Sequence, residues 1–253
     1  MMDLWLLPFL SLAGIAAGWL NVMAGGGSMI SVLTMVFLGI PGPLANGTFR
    51  VAIVVQNITA VTSFRRRGFS DFRLSFSLAM AASAGAIGGA MIGVNLSGPW
   101  FNRVLGAVMI LVLILMATGG NGQASAQDDD QPSPARNLVA GHLLMIVAGI
   151  WGGFIQIGVG FLLMPILSRV MGIDLVRVNM HKVFIVLVYT CSALAVFASQ
   201  SQVLWSAGLA LALGHAVGAW LGVRSSVLVG DVLIKRVFML AIIALVIKLI
   251  FFS

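Results

Sequence analysis

Long apolar runs separated by short polar turns occupy nearly the whole chain of 253 residues. About 20 consecutive apolar residues are enough for a helix to cross the ~30 Å hydrocarbon core of a bilayer. The recurrence of such runs predicts ten helical segments. They lie near Leu4–Ala24, Met29–Ile40, Leu44–Phe64, Leu74–Leu96, Phe101–Thr118, Leu138–Ile157, Phe161–Met171, Val176–Ser199, Val203–Val223 and Val232–Phe252.

The amino-acid composition supports the class of protein that these segments predict. Hydrophobic residues make up 60% of the chain and charged residues 8%, which is more apolar surface than a soluble domain of this size can bury. We therefore expect an all-α, polytopic protein that crosses the cell inner (plasma) membrane several times. The formal net charge of +7 does not indicate nucleic-acid binding, because the Lys and Arg residues are scattered over short loops.

The chain repeats itself at a fixed offset, so that residues of the same type recur at matching places in its two halves. This register predicts two copies of one five-segment unit. The first transmembrane repeat covers residues 1–118, a polar linker rich in Gly and Pro, expected to be cytoplasmic, covers 119–136, and the second repeat covers 137–253. The matched positions include Gly85 and Gly218, Gly89 and Gly222, Arg103 and Arg236, and Gly39-Ile40 and Gly172-Ile173.

The distribution of cations predicts that the two repeats have opposite orientations. Short cytoplasmic loops accumulate Lys and Arg, and the turn with Arg65-Arg66-Arg67 is therefore expected inside the cell. Its counterpart at 199–202 has no charge. If each repeat is a hairpin followed by three transmembrane helices, the odd number of crossings inverts the second copy, as is common in secondary transporters. Both termini would then lie outside the cytoplasm.

Each predicted hairpin turns at a cluster of glycines, Gly25-Gly26-Gly27-Ser28 in the first half and Gly158-Val159-Gly160 in the second. The helices that follow these turns are too short to span a bilayer. A half-helix that begins within the membrane directs its free N–H groups at whatever lies beside the turn, which favours an anion. A tight turn at the membrane surface is the alternative interpretation.

Two cations lie inside predicted transmembrane segments, Arg50 and Lys182. A buried cation requires a partner, a water-filled cavity or a path for its head group to the interface. The chain has no glutamate, and all of its aspartates lie in predicted loops or at the ends of segments. An anionic ligand is therefore the expected counter-ion, with snorkelling to the interface as the alternative.

Polar residues close to the two cations and the two glycine turns complete the predicted site. Asn21 and Gln156 stand out because both come just before a glycine turn. The three histidines show no metal-ligand spacing, and no nucleophilic cluster is visible, so we expect neither a metal, a cofactor nor an enzyme. The predicted substrate-binding residues are Arg50, Lys182, Asn21, Gln156, Ser28, Thr48, Asn46, Asn179, His181, Gly26, Gly27 and Gly160.

Nearly the whole chain resembles the TauE/SafE (TSUP) family of sulfite-exporter-like permeases. The resemblance lies in Gly25–Ser31, Gly39-Ile40-Pro41, Ala45–Thr48, Arg65–Gly68, Asp71-Phe72-Arg73 and Gly158–Pro165. The sequence departs from the family pattern at Asn179–Lys182 and Ser201–Trp205. The resemblance implies export of sulfite, a sulfonate or a related small anion.

These inferences combine into a functional hypothesis. We expect a secondary transporter that moves a small anion by alternating access, with an anion channel as the alternative. The expected partners are the anion and the lipid bilayer. Transport would run without a coupling ion, with sodium, or with a proton carried by His181, because histidine titrates near neutral pH.

Overall fold

A computed structural model describes residues 6–24, 27–66, 68, 72–96, 99–101, 103–104, 106–107 and 135–225. These residues form eight principal helices. In chain order they are α1 (Leu6–Ala24), α2 (Ser28–Phe37), α3 (Gly42–Arg65), α4 (Phe72–Val94), α5 (Leu138–Ile155), α6 (Val159–Pro165), α7 (Leu175–Ser199) and α8 (Trp205–Ser225).

Eight of the ten predicted segments correspond to these helices, and the prediction of an all-α, multi-pass membrane protein is confirmed. Four described stretches are long and apolar enough to cross a membrane: Phe72–Val94, Leu138–Ile155, Arg177–Ser199 and Trp205–Arg224. Most of the predicted helix Phe101–Thr118, nearly all of the linker and the whole of Val232–Phe252 lie outside the described residues.

Exposed apolar side chains form stripes along three of the long helices. Their helical spacing places the members of each stripe on one helix face, as expected of a surface in contact with lipid tails. The stripes comprise Phe76, Met80, Ile87 and Met91 on α4, Leu143, Val147 and Ile150 on α5, and Leu209, Leu213, Val217 and Trp220 on α8.

Helix α3 carries several buried polar residues. Asn46, Thr48, Arg50, Gln56 and Asn57 are each at most 2% exposed. The helix is flanked by α7 and α8 of the second half. Packed inside the protein, it can hold polar groups that contact with lipid would exclude.

The two halves make matching contacts. Helix α1 packs against α8, and α5 packs against α4; likewise α3 packs against α8, and α7 against α4. Exchanging the halves leaves this set of contacts unchanged. The offset that takes Gly85 to Gly218 also takes the first residue of α3, Gly42, to that of α7, Leu175, and the first residue of α4 to that of α8. These matches support two repeats, whereas their opposite orientation stays a prediction because both termini lie outside the described residues.

Both predicted half-helices are short. Helix α2 has 10 residues, and α6 has 7 before it passes into a π-helical turn at Ile166–Val170. Pro165 precedes this turn and lacks the N–H that a regular α-helix would use. The break before α6 lies at Gln156–Gly158, with Gln156 and Gly158 in the left-handed region (φ 48° and 75°). Gly160 consequently lies in the first turn of α6 and not in the loop.

The paired glycines of α4 and α8 allow close helix contacts. A Cβ atom on Gly85 or Gly89 would overlap the backbone of α5 at Ile146 or Ile150, and one on Gly218 would overlap α1 at Ile15. Small residues at such positions let helix backbones approach each other closely, which stabilises helix pairs in membranes.

Two adjacent glycines of α4 provide a matched test of this packing. We expect Gly89→Ala to lower the free energy of unfolding by about 1–3 kcal/mol, because its Cβ would overlap the Ile150 carbonyl oxygen and separate α4 from α5. Gly88→Ala should be neutral or slightly stabilising, because no atom lies within 4 Å of that position and alanine favours helix. Thermal unfolding of the purified protein in detergent measures both, and equal stability of the two variants would contradict the packing.

Candidate functional site

A small internal cavity lies where the two helix breaks meet α3 and α7. Its volume is about 20 Å³, enough for one water molecule. Part of the lining is apolar and comes from Ile53, Val159, Val183 and Val186. The remainder is Asn21, Ser28, Gln56, Asn57, Gln156, Gly160 and Lys182.

Lys182 is the one charged residue that lines the cavity among the described residues. Its side chain is buried, with 4% exposed. The ammonium group donates to Asn179 Oδ1 at 2.8 Å and makes a longer contact of 3.5 Å to the Val22 carbonyl oxygen. An ammonium group has three N–H donors, so these contacts leave one N–H of Lys182 for a ligand.

The other polar groups of the lining are amides and a hydroxyl. Ser28 is the first residue of α2, where free backbone N–H groups point out of the helix. Gln156 donates through Nε2 to the Tyr189 hydroxyl at 3.0 Å, and Asn21 donates through Nδ2 to Gln56 Oε1 at 3.1 Å. Since none of the described lining residues is a carboxylate, the electrostatic potential of the cavity favours an anion.

Arg50 does not line the cavity, and its side chain is held at the end of α5. Nη1 donates to the Gly152 carbonyl oxygen at 3.0 Å and to Gln156 Oε1 at 3.2 Å, and Nη2 donates to the Gly153 carbonyl oxygen. The guanidinium also lies 4.5 Å from the centre of the Phe197 ring. Arg50 thus reaches the cavity only through Gln156.

The two buried cations make corresponding contacts across the halves. Arg50 of α3 donates to carbonyls in the last turn of α5, and Lys182 of α7 contacts the Val22 carbonyl in the last turn of α1. The C-terminal end of a helix carries partial negative charge from its free carbonyls, which stabilises a cation there. Each half therefore places a cation at the end of the broken helix of the other half.

Three other predicted residues join helices and do not line the cavity. Asn46 Nδ2 donates to the Phe154 carbonyl oxygen at 2.9 Å. The hydroxyl of Thr48 accepts from the Leu204 N–H at 2.9 Å, just before α8. His181 Nδ1 lies 2.7 Å from Ser75 Oγ in the first turn of α4.

Of the two predicted glycines of the first turn, the structure describes Gly27. A Cβ on Gly27 would overlap the Ala17 carbonyl oxygen, so this glycine lets the start of α2 approach α1. Gly26 lies outside the described residues.

Three residues of this region were not predicted from the sequence: Gln56 and Asn57 in the lining, and His215 in contact with Gln56. The repeat contained a signal for Gln56, because its counterpart in the second half is Tyr189, which contacts Gln156. Within the described residues no group of three or more His, Cys, Asp or Glu side chains is placed to hold a metal ion.

Comparison with known proteins agrees with this architecture. A probable membrane transporter protein (ORF9) of Sinorhizobium sp. is 30% identical over 244 residues, which is 96% of this chain and 92% of the relative. A probable membrane transporter protein of Haemophilus influenzae is 23% identical over 91% of this chain and 89% of its own length. YfcA of Escherichia coli K12, also named a probable membrane transporter protein, is 22% identical over 91% and 84%.

No solved structure matches the chain. The family model described as "Sulfite exporter TauE/SafE" matches residues 10–249. Because that match extends over nearly the whole sequence, the chain belongs to the TauE/SafE family.

Proposed function

We propose that this protein is a secondary transporter in the cell inner membrane that exports a small anion, such as sulfite or an organosulfonate, by alternating access. The observation that supports it best is the cavity between the two helix breaks. Its one charged lining residue, among those described, is the buried Lys182, and amide and hydroxyl groups surround it.

The chemistry of the lining fits an oxyanion. A buried ammonium group is costly unless an opposite charge or several acceptors stabilise it. Lys182 has one full-length hydrogen bond, to Asn179 Oδ1, and one long contact. A small anion in the cavity would supply the missing charge, and its oxygens would accept from Lys182, from the lining amides and from the first turn of α2.

The small size of the cavity favours a carrier over an open channel. A volume of about 20 Å³ holds a water molecule and is too small for an oxyanion such as sulfite. Anion entry would then require the halves to move relative to each other, and the matching contacts of the halves suit such a rocking motion. An anion channel remains the second candidate, because the same residues could line a pore.

The direction of transport follows from the membrane potential. A cell interior that is negative by 100 mV expels a monovalent anion with about 2.3 kcal/mol. Export can therefore run without a coupling ion. The family description names sulfite export, which supports this direction, and a proton or sodium ion as the coupling ion stays a further possibility to test.

Counterflow in proteoliposomes tests the proposed function. Purified protein is reconstituted in liposomes loaded with unlabelled sulfite, and uptake of a trace of radiolabelled sulfite is followed. A carrier should accumulate the label transiently, because exchange is faster than net flux. Uptake that stops at equilibrium and does not depend on sulfite inside the liposomes would indicate a channel, and no uptake of sulfite, sulfonate or sulfate would contradict anion transport.

A further inference from the structure

A chain of buried polar side chains leads from the cavity into the protein core and joins four helices. Asn21 of α1 lies against Gln56 of α3, with Nδ2 3.1 Å from Oε1. His215 of α8 contacts the same Gln56 oxygen through Nδ1 at 2.7 Å, and its Nε2 lies 2.8 Å from Ser31 Oγ of α2. Gln56, His215 and Ser31 are each at most 2% exposed.

With the Gln56 amide oriented so that its oxygen faces His215, the contacts assign the proton of His215 to one of the two ring nitrogens. Gln56 Oε1 can only accept hydrogen bonds, so both Asn21 Nδ2 and His215 Nδ1 must donate to it. A neutral imidazole has one N–H, and its other nitrogen is an acceptor. In this arrangement Nε2 therefore accepts from the hydroxyl of Ser31, and His215 is the tautomer protonated at Nδ1.

The same contacts orient the amide of Gln56. Its oxygen faces Asn21 and His215, and its –NH₂ group is therefore turned away from both. Gln56 also lines the cavity beside Lys182. With this orientation the amide can present its N–H donors to the space where an anion would lie, next to the ammonium group.

A reversed arrangement of the same side chains would also satisfy them. If the amides of Gln56 and Asn21 both flipped so that oxygen and nitrogen exchanged places in each, the –NH₂ group of Gln56 would donate to His215 Nδ1 and to Asn21 Oδ1, and His215 would donate from Nε2 to Ser31 Oγ. The Gln56 oxygen would then face the cavity and repel an anion. The tautomer of His215 and the polarity of this part of the lining are thus linked.

We propose that Gln56 is an anion-binding donor of the site and that His215 is its positioning residue, which holds the Gln56 amide with its N–H groups toward the cavity. This inference rests on the proposed function, because it assigns a role within the same site. In this proposal the histidine that acts closest to the anion is His215, and not His181. The Nδ1–H tautomer of His215 orients the Gln56 amide, which is the donor to the anion.

Nitrogen NMR of the wild-type protein tests the tautomer directly. The chain has three histidines, so a protein labelled with ¹⁵N-histidine gives few ring signals, and a His215→Asn variant assigns those of His215. In protein saturated with sulfite, we expect His215 to be neutral, with Nδ1 protonated and Nε2 as the acceptor. A His215 ring protonated at Nε2 alone under these conditions would overturn the proposal.

Binding measurements with matched variants test the positioning role. We expect His215→Leu to weaken sulfite binding about tenfold, which corresponds to the weakening of one hydrogen bond to a charged ligand. His215→Asn should stay within about threefold of the wild type, because its amide N–H can replace Nδ1–H. His142→Leu is the control. That partly exposed histidine bonds to Leu138 and Ser77, and its loss should leave the sulfite Kd unchanged.

The Gln56→Glu variant separates this inference from the proposed function. Glutamate keeps the acceptor for Asn21 and His215 but has no N–H for the anion, so we expect sulfite affinity to fall by at least about tenfold. If Lys182→Gln abolishes binding while Gln56→Glu and His215→Leu bind like the wild type, the proposed function stands and this inference is wrong. If the wild type binds no small oxyanion, both fail.

Discussion

Replacement of Lys182 by glutamine is expected to weaken sulfite binding about 100-fold and to abolish counterflow. The reason is electrostatic. Two unit charges 4 Å apart attract by about 4 kcal/mol at the effective dielectric constant of ~20 typical of proteins, and part of this attraction is offset by desolvation of the ions. A hydrogen bond to a charged group contributes about 1.5–3 kcal/mol, which corresponds to roughly 10- to 100-fold in affinity.

The stability of this variant should change little. Glutamine can still donate to Asn179 Oδ1, and the uncharged side chain no longer bears the cost of burying an ammonium group. Arg169→Gln is the matched control, because it removes one positive charge from an exposed position in the π-helical turn. Equilibrium binding of sulfite to purified protein measures both. Equal affinity of Lys182→Gln and Arg169→Gln would remove Lys182 from the site.

The helices could be predicted from the sequence because their limits depend on local features. Gly39 and Gly172 adopt positive φ (83° and 69°) shortly before α3 and α7, and Pro41 lies directly before α3. Such residues interrupt an apolar run wherever they occur. The fixed offset between the halves adds a second signal, because it requires the limits in one half to reappear in the other.

The candidate site could be predicted only in part. Asn21, Ser28, Gln156, Gly160 and Lys182 were predicted and line the cavity, because proximity to a helix break or a position inside an apolar segment is visible in the sequence. Most of the remaining predicted residues were chosen for the same reasons but contact other helices, whereas Asn179 bonds to Lys182 within α7 and Gly26 lies outside the described residues. Which face of a helix meets which neighbour depends on tertiary packing, and one sequence gives no measure of it.

His215 and Gln56 illustrate which site residues a single sequence does not reveal. Neither is near a glycine turn, and His215 has no polar equivalent in the first half, where Ala82 occupies the matching position. The two residues lie far apart in the sequence and meet only because α8 packs against α3. A polar residue inside a single helix more often bonds to a neighbouring helix than to a ligand, so the sequence alone favoured a packing role for Gln56.

Arg50 and Lys182 look equivalent in the sequence, but the structure gives them different surroundings. Both follow polar residues in corresponding segments. The guanidinium of Arg50 has three acceptors and an aromatic ring around it and does not line the cavity, whereas the ammonium of Lys182 lines the cavity and keeps a donor for it. We therefore expect different effects when each charge is removed. Removal of the Lys182 charge should lower the affinity for the anion, and removal of the Arg50 charge should lower the stability of the protein.

Arg50→Gln is expected to lower the free energy of unfolding by about 3 kcal/mol. Its loss leaves the buried carbonyl oxygen of Gly153 at the end of α5 without its donor, and it leaves the carbonyl oxygen of Gly152 with only the N–H of Gln156. An unsatisfied buried acceptor costs about 1–3 kcal/mol. The glutamine amide is shorter than the guanidinium fork and cannot reach both carbonyls and Gln156 at once. The favourable interaction of the cation with the negative end of α5 is also lost.

The Arg50→Lys variant separates the effect of the positive charge from the effect of the planar, forked shape of the guanidinium. Lysine keeps the positive charge at the end of α5 but lacks the planar group that donates to several acceptors at fixed angles, so we expect a stability between those of the wild type and Arg50→Gln. Thermal unfolding in detergent gives the order of the three proteins. The sulfite Kd of Arg50→Gln, measured below its unfolding temperature, should rise less than that of Lys182→Gln, since Arg50 touches the cavity only through Gln156. If Arg50→Gln unfolds like the wild type yet loses sulfite binding completely, Arg50 contacts the anion directly, and the division of roles between the two cations is wrong.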